Sequence, residues 1–258
     1  MNRPILSACL AVVALAGLAG PVAAQEVVRL GTTPESYPPF TWVDAQGKLN
    51  GFEIDLADAL CAQMQVKCEW VLQSWDGIIP ALQEKKFDAI IASMSITDER
   101  KQVVDFSDKY YNSPAIFIGP KSETVDISPD GLKGKTVGVQ VSTIHASYIE
   151  AKYKGIVTIK TYDTQENANL DLIAGRVDLL LADSVALTDG FLKSPEGVDF
   201  EIKGKPFTDP LMGDGAGVAV RKGDPLGAKF SAAIKAIRDN GVYKKINDKY
   251  FGFDIYGS

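Results

Sequence analysis

The 258-residue chain contains one histidine, three cysteines and no cluster of lysine or arginine. Each shortage excludes a class of chemistry. A Ser-His-Asp triad would have to use His145, and no Gly-x-Ser-x-Gly elbow surrounds any serine. So few cysteines and histidines cannot build a tetrahedral zinc site. Gly134-Lys135-Thr136 looks like the end of a phosphate loop, but Pro129 stands where the first glycine of that loop belongs. No glycine-rich dinucleotide fingerprint follows the first predicted strand. The net charge is −6 and the basic residues are scattered, so nothing tracks a nucleic-acid backbone. No metal, cofactor or nucleic-acid partner is expected.

What is present begins with an export signal. Arg3, the apolar residues 5–18 and Val22-Ala23-Ala24 before Gln25 read as a cleavable leader over residues 1–24. An uncleaved membrane anchor is the competing reading, against which Gly17, Gly20 and Pro21 argue for cleavage. Cys9 would leave with the leader. Cys61 and Cys68 then remain in an oxidising compartment, either as a disulfide or as two buried thiols.

Strand and helix patterns alternate through the rest of the chain. Residues 27–32, 67–72 and 87–91 read as strands, with helical spacing over 54–64 and from 78. After a break at Asn112-Ser113-Pro114 the alternation resumes. Strands are predicted over 136–139, 157–161 and 177–181, and helices over 147–153, 169–173 and 184–192. Glycine and proline crowd residues 210–217, followed by a strand at 218–220 and amphipathic helices over 228–239 and 242–250. This is an α/β pattern in two similar halves. The expected organisation is one lobe from residues 25–112 and 213–258, a second from 113–212, and two hinge segments bordering a cleft.

The candidate site residues cluster after predicted strands. In the run Asp88 through Arg100, an apolar strand gives way to Ser93, Ser95 and Thr97, and Thr97 can cap a short helix carrying Arg100. Strand ends beside helix amino ends hold anions in α/β sheets, and a guanidinium there can grip a carboxylate through two hydrogen bonds. The alternative is a surface arginine paired with Asp98 or Asp105. Asp183 follows Leu179-Leu180-Leu181-Ala182 and could accept from an ammonium or cap the next helix. Tyr37 and Trp75 lie in loops after strands, where they could sandwich a side chain or pack in a core.

Several segments carry a resemblance. Gly51-Phe52-Glu53-Ile54-Asp55-Leu56, Ser95-Ile96-Thr97-Asp98-Glu99-Arg100, Phe106-Ser107-Asp108-Lys109-Tyr110 and the closing Lys249-Tyr250-Phe251-Gly252-Phe253-Asp254 resemble the periplasmic lysine/arginine/ornithine-binding and histidine-binding proteins. The resemblance implies the type II periplasmic-binding-protein fold and a Cys61–Cys68 disulfide. It implies a monomer that passes a cationic amino acid to the membrane permease of an ATP-driven importer. By position, Arg100 with Ser95 and Thr143 would hold an α-carboxylate and Asp183 an α-ammonium. Tyr37, Trp75 and Ser93 would line the rest of the ligand pocket. The side-chain end departs from the pattern. Pro34 stands where cationic binders carry an acid, with Glu35 one step later, and Ala92 replaces a serine. Ile144 and His145 occupy threonine and glutamine positions. Trp75, Gln140 and Thr143 also resemble opine-binding relatives, and other relatives resemble cyclohexadienyl dehydratases. In such an enzyme Glu35 or His145 would be the proton donor.

Overall fold

A computed structural model of the chain describes residues 25–257, so the leader expected over residues 1–24 lies outside the described residues. The first part of the chain forms β1 (Val27–Thr32), the hairpin strands β2 (Trp42–Val43) and β3 (Leu49–Asn50), and α1 (Phe52–Met64). It continues with β4 (Lys67–Leu72), α2 (Ile78–Gln83), β5 (Ala89–Ile90), α3 (Asp98–Lys101) and β6 (Val104–Tyr111). Next come β7 (Ala115–Pro120), β8 (Thr136–Gln140), α4 (Ile144–Tyr153), β9 (Thr158–Tyr162), α5 (Gln165–Ile173), β10 (Leu179–Asp183) and β11 (Phe200–Phe207). The tail supplies β12 (Ala216–Arg221), α6 (Leu226–Asp239) and α7 (Val242–Tyr250).

These strands make two five-stranded sheets, ordered β4-β1-β5-β12-β6 and β11-β7-β10-β8-β9. β12 pairs antiparallel with both β5 and β6, so the chain builds the second sheet and then returns to finish the first. Each sheet is covered on both faces. In the second, Leu179 and Leu181 pack with Phe117, Val137 and Val139 on one side. Leu180 and Ala182 pack with Ile116, Ile118 and Leu172 on the other. Burial on both faces explains why β10 reads as an unbroken apolar run rather than an alternating one. In the first lobe, Phe52, Leu56 and Leu60 of α1 pack with Leu30, Phe230 and Ile234. Ile78, Leu82, Phe87 and Ile90 fill the opposite face. Each large side chain so buried contributes about 1.5–3 kcal/mol, so each sheet is held by apolar packing on both of its faces.

Cys61 and Cys68 are joined as a disulfide with Cα atoms 6.1 Å apart, which sets aside the two-thiol reading. The helix starts differ from the sequence pattern. α4 begins three residues earlier than expected because Thr143 Oγ1 accepts from the Ala146 N–H at 3.1 Å. Thr164 caps α5 in the same way through Asn167 at 3.0 Å. The first turn of α5, Gln165-Glu166-Asn167, is polar and hides the apolar period. The segment expected as a helix over 184–192 is π-helical across Ala186–Leu192, and Val185 and Ala186 pack against the core of the first lobe.

Candidate functional site

The segments after β1, β4, β5 and β8, together with the end of β10, line one cavity of about 610 Å³, its mouth included. All ten expected residues reach it. Glu35, Tyr37, Trp75, Ser93, Ser95 and Arg100 come from the first lobe, and Gln140, Thr143, Ile144 and Asp183 from the second. Loops at the carboxyl ends of strands are where an α/β sheet presents side chains without disturbing its core.

Arg100 is placed by its own helix start. Thr97 Oγ1 accepts from the Arg100 N–H at 3.2 Å and fixes the turn. The guanidinium donates to the Ser95 carbonyl at 2.9 Å and, across the cleft, to the Ser142 carbonyl at 3.0 Å. It also lies 5.4 Å from the centroid of the Trp75 ring. The surface-pair alternative fails, because Asp98 pairs with Lys101 and Asp105 with Lys222. Burial lowers the Arg100 pKa to about 10, against the opposing pull of Glu99 and Asp183. The group stays charged at neutral pH, and among the described residues no carboxylate forms an ion pair with it.

Asp183 has the complementary shortage. Its Oδ2 accepts from the Tyr37 hydroxyl at 2.7 Å, a bond between lobes. It does not cap the following segment, whose Ser184 and Val185 N–H groups go to the Pro114 carbonyl and the Ser113 hydroxyl. Burial pushes its pKa up to about 6, although Tyr37 and Arg100 both pull it down. A carboxylate in that state is short of a cation.

Further bonds cross the cleft. The Trp75 indole donates to the Val141 carbonyl at 3.0 Å, and the Ser142 hydroxyl donates to Asp76 at 2.6 Å. Gly190 lies so close to the first lobe that a Cβ there would sit 2.3 Å from the Pro38 carbonyl oxygen. The lobes are therefore closed on each other. Thr143 does not offer its hydroxyl to the cavity; it donates to the Gln140 carbonyl at 2.7 Å and caps α4. That cap sets the amino end of α4 at the cavity wall, where free N–H groups favour an anion.

Sequence reasoning missed Glu53. This carboxylate is 1% exposed and accepts from the Ser93 N–H at 2.6 Å, the Thr41 hydroxyl at 3.0 Å and the Tyr110 hydroxyl. Burial raises its pKa while those three donors oppose the rise. Ser93 has φ of 54°, and its bond to Glu53 holds this left-handed backbone at the cavity edge. A lone acid on the apolar face of α1 was the available signal. Gln165 on α5 and His145 on α4 complete the wall. Of the four buried side-chain polar atoms lacking a hydrogen-bond partner among the described residues, three belong to this cavity: Glu35 Oε2, Ser93 Oγ and His145 Nε2.

With that geometry in view, the likeness to known proteins is informative. The chain is 48% identical to an L-arginine-binding protein of Pseudomonas aeruginosa, over 97% of this chain and 98% of that protein. It is 42% identical to a lysine/arginine/ornithine-binding periplasmic protein of Escherichia coli, with both chains covered in full. Among solved structures, an ancestral arginine-binding protein bound to arginine superposes with a TM-score of 0.81 at 37% identity. That match covers 88% of this chain and 99% of the other. These relatives are binding proteins rather than enzymes. Residues 28–253 match the sequence model of one such family, and the chain belongs to the bacterial extracellular solute-binding proteins, family 3.

Proposed function

We propose that the chain is the periplasmic solute-binding subunit of an amino-acid importer of the ATP-driven class, exported by residues 1–24. Its ligand is a cationic amino acid: arginine, lysine, ornithine or histidine. One observation carries this reading. Arg100 and Asp183 face a single cavity from opposite lobes, each buried and each feeling the other's charge without forming an ion pair with it. A zwitterion supplies both charges at once. The α-carboxylate lies with Arg100, Ser95 and the amino end of α4, and the α-ammonium lies with Asp183. The side chain runs between Tyr37 and Trp75 toward Glu35, whose Oε2 has no partner among the described residues, with Gln140 and Ile144 on the opposing wall. The lobes are residues 25–112 with 213–258, and residues 113–212.

A ligand held by both lobes is fully bound only when the cleft is shut, so binding shifts the population toward the closed form. The closed surface, shared by both lobes, is what a membrane permease would read. Affinity in the micromolar to nanomolar range corresponds to roughly −8 to −12 kcal/mol, within reach of a desolvated two-ended ionic grip. Titration calorimetry with arginine, lysine, ornithine, histidine and octopine tests the assignment. Arginine should bind at least as tightly as the others, and preference for octopine would make this an opine binder. Arogenate and prephenate should survive incubation with the protein; turnover of either would make it an enzyme.

A further inference from the structure

His145 is the residue the sequence pattern did not explain. It sits in the first turn of α4, 4% exposed, against the same cavity. Its Nε2 has no hydrogen-bond partner among the described residues and lies 3.8 Å from Asp183 Oδ1. Asp183 Oδ2 is already engaged by Tyr37, so Oδ1 is the oxygen left over. A gap of 3.8 Å is too wide for a direct hydrogen bond. It leaves room for a nitrogen seated about 2.8 Å from each atom, with the two acceptors subtending roughly 85° at it.

We propose that His145 is a ligand-contacting residue: its bare Nε2 and Asp183 Oδ1 form a two-acceptor clamp for the α-ammonium, so that closure around ligand requires neutral imidazole. This rests on the amino-acid-binding reading above and adds a residue and a proton linkage to it. Three features keep the ring neutral when the cleft is shut. The charged and titratable groups facing the same space are Asp183 from β10, Arg100 from α3, Glu53 from α1, and Glu35 and Tyr37 after β1. Burial is the largest influence and the Arg100 charge the next, and together they push the imidazole pKa down to about 3. The bound ammonium adds a further positive charge beside it.

The sign of the linkage follows. In the open cleft the imidazole is solvated and titrates near about 6.5. Closure lowers that value, so binding is at full strength above it. Affinity then falls about tenfold for each pH unit below it, because a proton must leave before the lobes can shut. An importer subunit with this clamp releases its amino acid when the surroundings turn acidic.

Because the chain has a single histidine, untagged protein gives one set of imidazole resonances. We expect nitrogen-15 spectra of the ligand-free protein to titrate near about pH 6.5. In the arginine complex the ring should stay neutral down to about pH 5, with its proton on Nδ1. An imidazole in the complex that carries its proton on Nε2, or that titrates as in the free protein, overturns the clamp. Calorimetry in buffers of different ionisation enthalpy gives the second readout. Near pH 5.5, wild type should release about one proton per arginine bound and bind about tenfold more weakly than near pH 7.5. His145→Gln, which retains Asp183, should lose both effects. Equal proton release in that variant assigns the linkage to Asp183 or Glu35 and overturns the role of His145. Failure of wild type to bind any free amino acid near pH 7.5 would overturn the binding reading, and the clamp with it.

Discussion

Removing the Arg100 guanidinium should cost binding and leave folding almost untouched. In the ligand-free closed form the group donates only to the Ser95 and Ser142 carbonyls, both in loops at the cleft edge, and stacks on Trp75. Of these partners only Trp75 packs against a core, at its partly buried rim. Arg100→Ala therefore should move the melting temperature of ligand-free protein by no more than a surface substitution does, about ±0.5 kcal/mol in stability. Binding is a different matter. Truncating one partner of a buried, hydrogen-bonded charge pair costs about 2–5 kcal/mol, mostly from leaving the other charge unpaired. For a carboxylate facing the amino end of α4, part of the charge is still met, so we expect about 3–4 kcal/mol, or a Kd raised roughly 200- to 1,000-fold. Arg100→Lys keeps the charge but loses the planar fork, and should fall between. Titration calorimetry with arginine, alongside differential scanning calorimetry without it, measures both quantities. An unchanged Kd in Arg100→Ala would mean that the carboxylate lies elsewhere and would refute the two-ended grip.

Other perturbations separate the remaining parts. Glu35→Gln should weaken arginine and lysine by about 1–3 kcal/mol while changing a neutral amino acid much less, because it removes only the buried acceptor at the side-chain end; equal losses for both classes in calorimetry would take Glu35 out of the pocket. Gly190→Ala inserts a methyl 2.3 Å from the Pro38 carbonyl. It should hold the lobes apart, raising the ligand dissociation rate in stopped-flow and the radius of gyration of the complex in small-angle scattering. Wild-type values for both would mean the two segments part without cost. The Cys61–Cys68 bridge closes a sequence separation of 7, which predicts about 2–3 kcal/mol of stabilisation from loop entropy. The double serine variant should therefore melt about 5–10 °C lower with arginine affinity preserved, since neither cysteine touches the cavity.

How far the sequence could lead is shown by particular residues. β4 and α7 follow their predicted limits because their less exposed positions recur at strand and helix periods. β6 was illegible because it is an edge strand, and Asp105, Asp108 and Lys109 interrupt its apolar pattern. β11 lies at the edge of the second sheet and carries Glu201, Lys203 and Lys205 for the same reason. At the site, the strand-end positions of Arg100 and Asp183 were readable from the apolar runs preceding them. What could not be read was which atoms were already engaged. Thr143 spends its hydroxyl as a helix cap, Asp183 gives one oxygen to Tyr37, and Glu53 serves Ser93 from another element. The Thr143 cap is local, between residues three apart, but the Asp183 and Glu53 bonds join residues distant in the chain, which no local pattern encodes.

The two perturbed acids and bases of the cleft also explain why an empty protein should stand open. Shutting the lobes without ligand raises the Asp183 carboxyl from its ordinary value to about 6. At neutral pH this opposes closure by about 3 kcal/mol, since each pKa unit is worth 1.36 kcal/mol. The sign is that of a raised acid: the penalty is complete above the closed-form value and fades as pH falls toward the open-form one. An ammonium beside Asp183 removes that penalty, and a carboxylate beside Arg100 does the same for the stranded guanidinium. The ligand thus binds the closed form preferentially through the charges that closure leaves unmet, and this difference in affinity is what shifts the population. Acid would relieve Asp183 in the empty cleft but would charge His145, so the two protons oppose each other. Once the ammonium has taken over Asp183, only the histidine linkage survives, and acid acts on the loaded protein in one direction, toward opening.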